Sequence, residues 1–291
     1  MKDETKGIVS LLISTLIYSF FGVLTRIIGF SIPVFYAMWV RAFVTIGILF
    51  LVAYYTHQWS HVKPKDWKWF ILRSVGGMVG FLGSYVSFYF LPLGTALFIF
   101  YGGSTVGGYA LGRLLIGERI TRIKGISLVI ALLGLLLIYI TRIGTGSLLY
   151  MLLAFAGGLG TATWNVSSKK ISGTYSDVQL NATDFLLNGM FALFASVLLQ
   201  EQWVPIQANT VWLANLLFII LFISTGQLMV YGFKRLDAQI ASLIMLTEVL
   251  FGVILGYLFY AEIPSAWSVV GGGMIIASIV LAEMYSKKAR K

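Results

Sequence analysis

The sequence predicts an all-α membrane protein: ten transmembrane helices arranged as two inverted five-helix repeats. Three observations carry this. The 291 residues are 58% hydrophobic and only 11% charged, with a mean hydropathy of +0.89, whereas a water-soluble domain carries about 25% charged residues. Lipid is the solvent that so much apolar surface demands. The apolar residues fall into runs of about 20, the length that crosses a hydrocarbon core of about 30 Å. The chain also matches itself at an offset of about 143 residues: Trp69 aligns with Trp212, Gly83 with Gly226, Phe21 with Trp164, Arg26 with Lys169, Leu93 with Leu236 and, after one inserted residue, Glu118 with Glu262. Each half holds five spans, an odd number, so the second copy enters the bilayer upside down.

Span 1 is Gly7–Ile28, following a charged start. It is too long for the apolar region of a cleaved signal and has no convincing cleavage site, so it reads as a retained helix. Its polar and small residues Ser14, Tyr18, Gly22 and Thr25 recur at steps of three and four, which puts them on one helix face. Span 2 is Val34–Thr56, and the connector Thr56–Asp66 leads to span 3, Trp69–Phe90, with a stripe of Gly76, Gly80, Gly83 and Ser87. Span 4, Gly94–Ile116, carries the glycine-rich stretch YGGSTVGG, and span 5, Gly125–Thr141, is apolar and nearly featureless. The seam falls at Gly144–Gly146, dividing a first repeat, 1–144, from a second, 145–291. Span 6, Ser147–Ser168, repeats the span 1 stripe as Gly157, Thr161, Asn165 (beside Trp164) and Ser168. Span 7 is Val178–Leu199; after the connector Glu201–Thr210, span 8, Val211–Phe233, shows Ser224, Gln227 and Tyr231. Span 9 is Ala238–Tyr260, and span 10, Ser265–Ala282, is as featureless as span 5. These two belong at the lipid-facing periphery or against a second protomer. Small residues at the stripes suit close helix packing in lipid.

Basic residues fix the orientation. On the side of the N-terminus fall Lys2, Lys6, Lys63, Lys65, Lys68, Arg73, Arg113, Arg119, Arg122, Lys124, Lys169, Lys170, Lys234, Arg235, Lys287, Lys288, Arg290 and Lys291; on the other fall only Arg26 and Arg142. The positive-inside rule then places both termini in the cytoplasm and the chain in the cytoplasmic membrane. The same rule accounts for the net charge of +10, so nucleic acid is not an expected partner.

Apart from the basic residues near span ends that are assigned to a face above, three charges lie within spans: Arg41, Asp184 and Glu248. Each costs about 2.5–3.5 kcal/mol near a helix centre and so marks a functional candidate. Glu248 is the deepest, about 15 Å along its helix and so near the midplane. Its repeat counterpart is about Ser104. Arg41 and Asp184 are repeat counterparts, each only about 10 Å inside opposite faces, so no direct pair between them is expected. They are read as entrance residues, with Arg41 free to snorkel instead. Inverted repeats with polar midplane residues are the architecture of secondary transporters. The expected substrate-binding set is Tyr18, Tyr85, Tyr101, Ser104, Trp164, Asn165, Gln227, Tyr231 and Glu248, an aromatic wall with a few amides and hydroxyls suited to a small amphipathic organic solute.

Other chemistries find no support. With no cysteines, disulfides and thiolate metal sites are excluded. His57 and His61 stand four apart, but in an interfacial loop, and no metal or cofactor is expected. The glycine clusters lack the Lys-Ser/Thr that completes a phosphate-cradling loop. No Ser/His/Asp constellation shares one depth, so no catalytic residues and no enzyme activity are expected.

The segments YGGSTVGGYALGRLLIGERITRIKGISLVIALLGL (Tyr101–Leu135) and LTEVLFGVILGYLFYAEIPSAWSVVGGGMIIASI (Leu246–Ile279) resemble the two repeat signatures of EamA-type members of the drug/metabolite transporter superfamily. In each, a helix ends in a Glu, Glu118 or Glu262, before a short turn and a final helix. The proline that many members carry in spans 4 and 9 is missing here. The resemblance implies a metabolite transporter, often an exporter of amino acids or related compounds, alternating access through a cavity built mainly from spans 1, 3, 4, 6, 8 and 9. It implies a structural or gate-adjacent role for Glu118 and Glu262. Uptake or exchange, and outside the transporter class a sensor, a scaffold or a lipid-acting enzyme, stay open at this point. So do protons as the coupling ion and the choice between monomer and homodimer.

Overall fold

The computed structural model describes residues 2–29 and 31–289. Of the basic residues assigned to the N-terminal face, Arg290 and Lys291 lie outside the described residues, as do the side chains of Lys2, Lys287 and Lys288. The fold is all-α: α1 (Lys2–Ile28), α2 (Val34–Tyr55), α3 (Trp67–Phe90), α4 (Leu93–Leu111), α5 (Arg122–Tyr139), α6 (Leu148–Ile171), α7 (Asp177–Leu198), α8 (Thr210–Arg235), α9 (Ala238–Met245), α10 (Thr247–Tyr260) and α11 (Ala266–Ala289). Local chemistry sets several of the starts. Thr121, Ser176 and Asn209 each accept a hydrogen bond from a backbone N–H in the first turn of α5, α7 and α8, satisfying one of the donors a helix start leaves open. Pro33 and Pro92 stand just before α2 and α4.

Among the described residues, eight segments are long and apolar enough to cross a membrane: those of α1, α2, α3, α5, α7, α8, α11 and the α9–α10 pair. The chain is therefore a multi-pass membrane protein. The two long helices outside this set, α4 and α6, measure about 28 and 36 Å at 1.5 Å per residue. What lowers their hydropathy is the glycine and hydroxyl content that lets them pack tightly. A Cβ at Gly158 of α6 would lie 2.6 Å from the backbone nitrogen of Ser104 on α4. Only glycine permits that approach.

Helix pairing follows the repeat. The helices α1 and α8 pack together, as do their counterparts α6 and α3; α2 packs on α7, and α5 on α11. Nearly every close pair joins one half to the other. The largest core cluster likewise mixes Leu11, Tyr109, Leu135, Val166, Phe233 and Leu243. Spans 5 and 10 meet each other backbone to backbone, where a Cβ at Gly134 would lie 2.7 Å from the Gly271 carbonyl oxygen, and their outer faces expose Val129, Leu133, Val269 and Ile276.

Two segments depart from plain helices, both where proline is missing. Span 9 breaks at Leu246 into α9 and α10, and α4 relaxes into a π-helical turn at Gly112–Ile116. A correction concerns Arg73. The sequence places it with the loop charges of the N-terminal side, yet its side chain is 1% exposed, enclosed between α3, α6 and α7. Its Nε donates to Ser168 Oγ (2.6 Å), Nη1 to the Leu180 carbonyl (2.8 Å) and Nη2 to Asn181 Oδ1 (2.6 Å).

Candidate functional site

Both halves line one central cavity of about 480 Å³. Seven of the nine expected binding residues face it: Tyr18, Tyr85, Tyr101, Ser104, Trp164, Asn165 and Glu248, together with Arg41 and Asp184. Gln227 and Tyr231 do not. They border a shallow groove with Lys6, Ser10 and Asp177, on the face of α8 turned toward the start of α1. Steps of three and four define a face of a helix but not the neighbour it meets. The face α8 gives to the cavity holds Phe218, Phe222 and Met229, positions that look like ordinary core in the sequence.

The polar groups of the cavity fall into three sets. Glu248 sits in the first turn of α10, just past the break at Leu246, and its Oε1 accepts a hydrogen bond from the Tyr101 hydroxyl at 3.0 Å. The break thus aims a carboxylate from one half at a phenol from the other. Asp184 is the hub of a second set. Its Oδ1 accepts from Ser74 Oγ (2.9 Å) and Asn188 Nδ2 (3.1 Å), and its Oδ2 accepts from the Trp164 indole (2.8 Å) and lies 3.3 Å from Arg73 Nη1. The guanidinium carbon of Arg73 also lies 4.7 Å from the Trp164 ring centroid. Asp184 and Arg73 therefore hold Trp164 in place as part of the cavity wall. A sequence signal for Arg73 existed: it stands three and four residues before Gly76 and Gly77, on the face that packs on α6. The third set is Arg41. It turns inward instead of snorkelling: its Nε donates to Asn215 Oδ1 at 2.6 Å and its guanidinium carbon lies 3.9 Å from the Phe218 ring centroid. No pair forms between Arg41 and Asp184.

The cavity ends differ. One end reaches Ile28, Gly29, Ile32 and Val34 at the α1–α2 junction; the other is floored by Thr105, Met229 and Ser242. Beneath that floor, toward the N-terminal face, lie Tyr109, Phe233, Leu236 and Ala238 of the largest core cluster.

Glu118, beyond the floor, and its counterpart Glu262, at the opposite face, end spans 4 and 9 in the same way. The N–H of Glu118 bonds the Gly112 carbonyl and that of Glu262 the Gly256 carbonyl, six residues back, and Gly117 (φ 84°) and Ala261 (φ 53°) take the left-handed conformation. A Cβ at Gly112 would lie 3.1 Å from Glu118 Oε2, and one at Gly256 would lie 3.0 Å from Glu262 Oε2. The spacing Gly-x5-Glu thus folds each carboxylate back over its own helix end, a helix-terminating turn of the left-handed type. Each carboxylate then pairs with the other half: Glu118 with Lys169, and Glu262 with Arg26 at 2.9 Å. Lys169 and Arg26 were themselves aligned by the repeat. The first pair is mostly enclosed, with side chains 15% and 9% exposed, and the second is open to solvent at 51% and 37%. Glu118 also accepts the N–H of Ala238 (2.9 Å) and Gln239 (3.4 Å), capping α9. The start of α4, counterpart of the start of α9, has no such cap. Thr95 exchanges hydrogen bonds with Gly144 instead.

The model of the EamA-like transporter family matches residues 5–140 and again residues 148–284. The chain belongs to the EamA-like transporter family. The two matches stand on either side of residues 141–147, so the chain holds two EamA units. The fold is shared with a solved crystal structure at a TM-score of 0.81, with 99% of each chain covered and 15% identity. No curated protein matches the chain. Family membership makes this a membrane transporter of the drug/metabolite transporter type, with a small-molecule substrate and a lipid bilayer around it.

Proposed function

We propose that this EamA-like chain is a ten-span secondary transporter, with α4 and α6 completing the set of spans and Gly144 dividing repeat 1–144 from repeat 145–291. It moves a small amphipathic organic metabolite, an amino acid or related compound, out across the cytoplasmic membrane by alternating access, with both termini in the cytoplasm. The observation that carries this reading is the unequal closure of the two ends of one shared cavity. On the N-terminal face, Glu118 joins Lys169 and the start of α9 over a packed floor. On the opposite face, the equivalent pair is half-exposed and the cavity reaches the α1–α2 junction.

Near-equivalent halves imply a mirror state of similar free energy, and a carrier needs two such states within a few kcal/mol. In the mirror state Glu262 takes the start of α4 and Glu118 releases the start of α9. The aromatic wall and the Glu248–Tyr101 pair bind the solute in between.

Flux through proteoliposomes tests the reading. The Glu248→Gln variant keeps the volume of the side chain and its hydrogen bond to Tyr101, and is expected to elute as wild type from a sizing column while its flux collapses. Wild-type flux in that variant would take Glu248 out of the mechanism. Counterflow separates exchange from net export.

A further inference from the structure

The charges lining the cavity are not compensated alike. Asp184 and Arg41 are repeat counterparts, and both line the cavity. Asp184 is fully engaged by Arg73, Ser74, Trp164 and Asn188. At the positions that the repeat relation matches to those four stand Leu216, Leu217, Phe21 and Thr45. None of them is charged. Among the described residues no carboxylate lies within ion-pairing distance of Arg41. One turn along α2 from it, the Thr45 hydroxyl is buried without a hydrogen-bond partner.

Arg41 is nevertheless held in a fixed pose. Asn215, 1% exposed, takes its Nε–H, and Phe218 supports the flat face of the guanidinium. That leaves the Nη edge for a partner, the edge with which arginine grips a carboxylate through two parallel hydrogen bonds. A fixed, uncompensated cation at membrane depth is costly unless an anion visits it.

We propose that Arg41 is the anion subsite of the cavity: it receives the carboxylate of the transported solute, whose apolar body lies along Phe218 and Phe222 and whose other end offers a hydrogen-bond donor to Glu248. Arg41 lies about 10 Å below one face and Glu248 about 15 Å above the other, so in a core of about 30 Å their heights differ by about 5 Å. Both line the same cavity of about 480 Å³, a volume that admits a solute the size of an amino acid. The substrate class is then a small organic monocarboxylate with a donor or ammonium end, rather than a neutral sugar or an organic cation. This inference rests on the carrier reading of the same cavity.

The test pairs each of the common amino acids with its carboxamide and reads the melting temperature of the purified protein. A ligand that binds the folded state raises it. At least one acid is expected to stabilise the wild type where its amide does not. Arg41→Gln is expected to weaken that acid at least tenfold, and Arg41→Lys, which keeps the charge, to recover part of the loss. Equal responses to acid and amide, no response to any acid, or an unchanged response in Arg41→Gln would each overturn the proposal. If Arg41→Gln does not fold, the acid–amide comparison in the wild type decides. Counterflow of the same acids keeps the two readings apart: flux that survives in Arg41→Gln removes the anion subsite and leaves the carrier standing, whereas no flux of any solute in the wild type removes the carrier.

Discussion

Glu118→Gln is expected to loosen the closed end of the cavity. The variant keeps an acceptor for the Ala238 N–H but loses the negative charge, leaving the Lys169 ammonium behind with only 15% of its side chain exposed. Stripping one partner from a buried pair costs about 3–5 kcal/mol. Loss of the carboxylate at the start of α9 removes a further 0.3–1 kcal/mol or so of dipole interaction. Against this, the Leu236 carbonyl still accepts from Lys169 (2.6 Å), and Lys169 lies near enough to the surface to reach water. About 2 kcal/mol is a conservative net, which multiplies the population open toward the N-terminal face roughly thirtyfold. The natural chain has no cysteine, so a single Ser242→Cys on the cavity floor gives a clean reporter. A membrane-impermeant thiol reagent applied to the N-terminal face should label it roughly thirtyfold faster in the Glu118→Gln background. A rate within twofold of the parent would refute the idea that this ion pair holds that end shut.

Two further outcomes follow from helix geometry. Gly158→Ala forces α4 and α6 apart and should lower stability by about 1–3 kcal/mol, read as a lower melting temperature in detergent; Gly102→Ala, whose new Cβ meets nothing nearer than 3.9 Å, should be neutral. Ala261 holds φ 53° where its counterpart is Gly117, so Ala261→Gly should raise stability by about 0.5–1 kcal/mol, with left-handed strain relieved and part of the gain returned as unfolded-chain entropy. Denaturation that shows Ala261→Gly less stable than wild type would refute the strain argument.

Much of the fold was legible because it rests on composition and repetition. Lipid leaves a chain few alternatives to helix, so apolar runs translate into helices whose edges coincide with the runs, as at Val34 and Tyr260, or differ by a few residues, as at Trp67 against Trp69. The self-alignment found both ion pairs without knowing they were pairs: Arg26 with Lys169, and Glu118 with Glu262. What stayed hidden depends on which neighbour a helix face meets. Gln227 and Tyr231 share a polar stripe, yet α8 turns that stripe toward α1 and gives Phe218 and Phe222 to the cavity. Arg73 looked like one more cytoplasmic charge because depth along a helix was reckoned from an uncertain edge. Its partners, Ser168, Asn181 and Asp184, lie about a hundred residues away in the sequence and become neighbours only when α3, α6 and α7 close. The break at Leu246 carries no proline or glycine to announce it.

The contrast between a sheltered and an exposed ion pair leaves one side of the molecule more open to salt screening than the other. Dissolved ions screen opposite charges at a surface within a Debye length of about 8 Å at physiological ionic strength, but hardly reach a pair inside protein. Brine bathing the Arg26–Glu262 side would loosen that contact and leave its sheltered twin untouched. In a carrier that alternates as proposed, the resting balance between the two states would then drift with the salinity on that side.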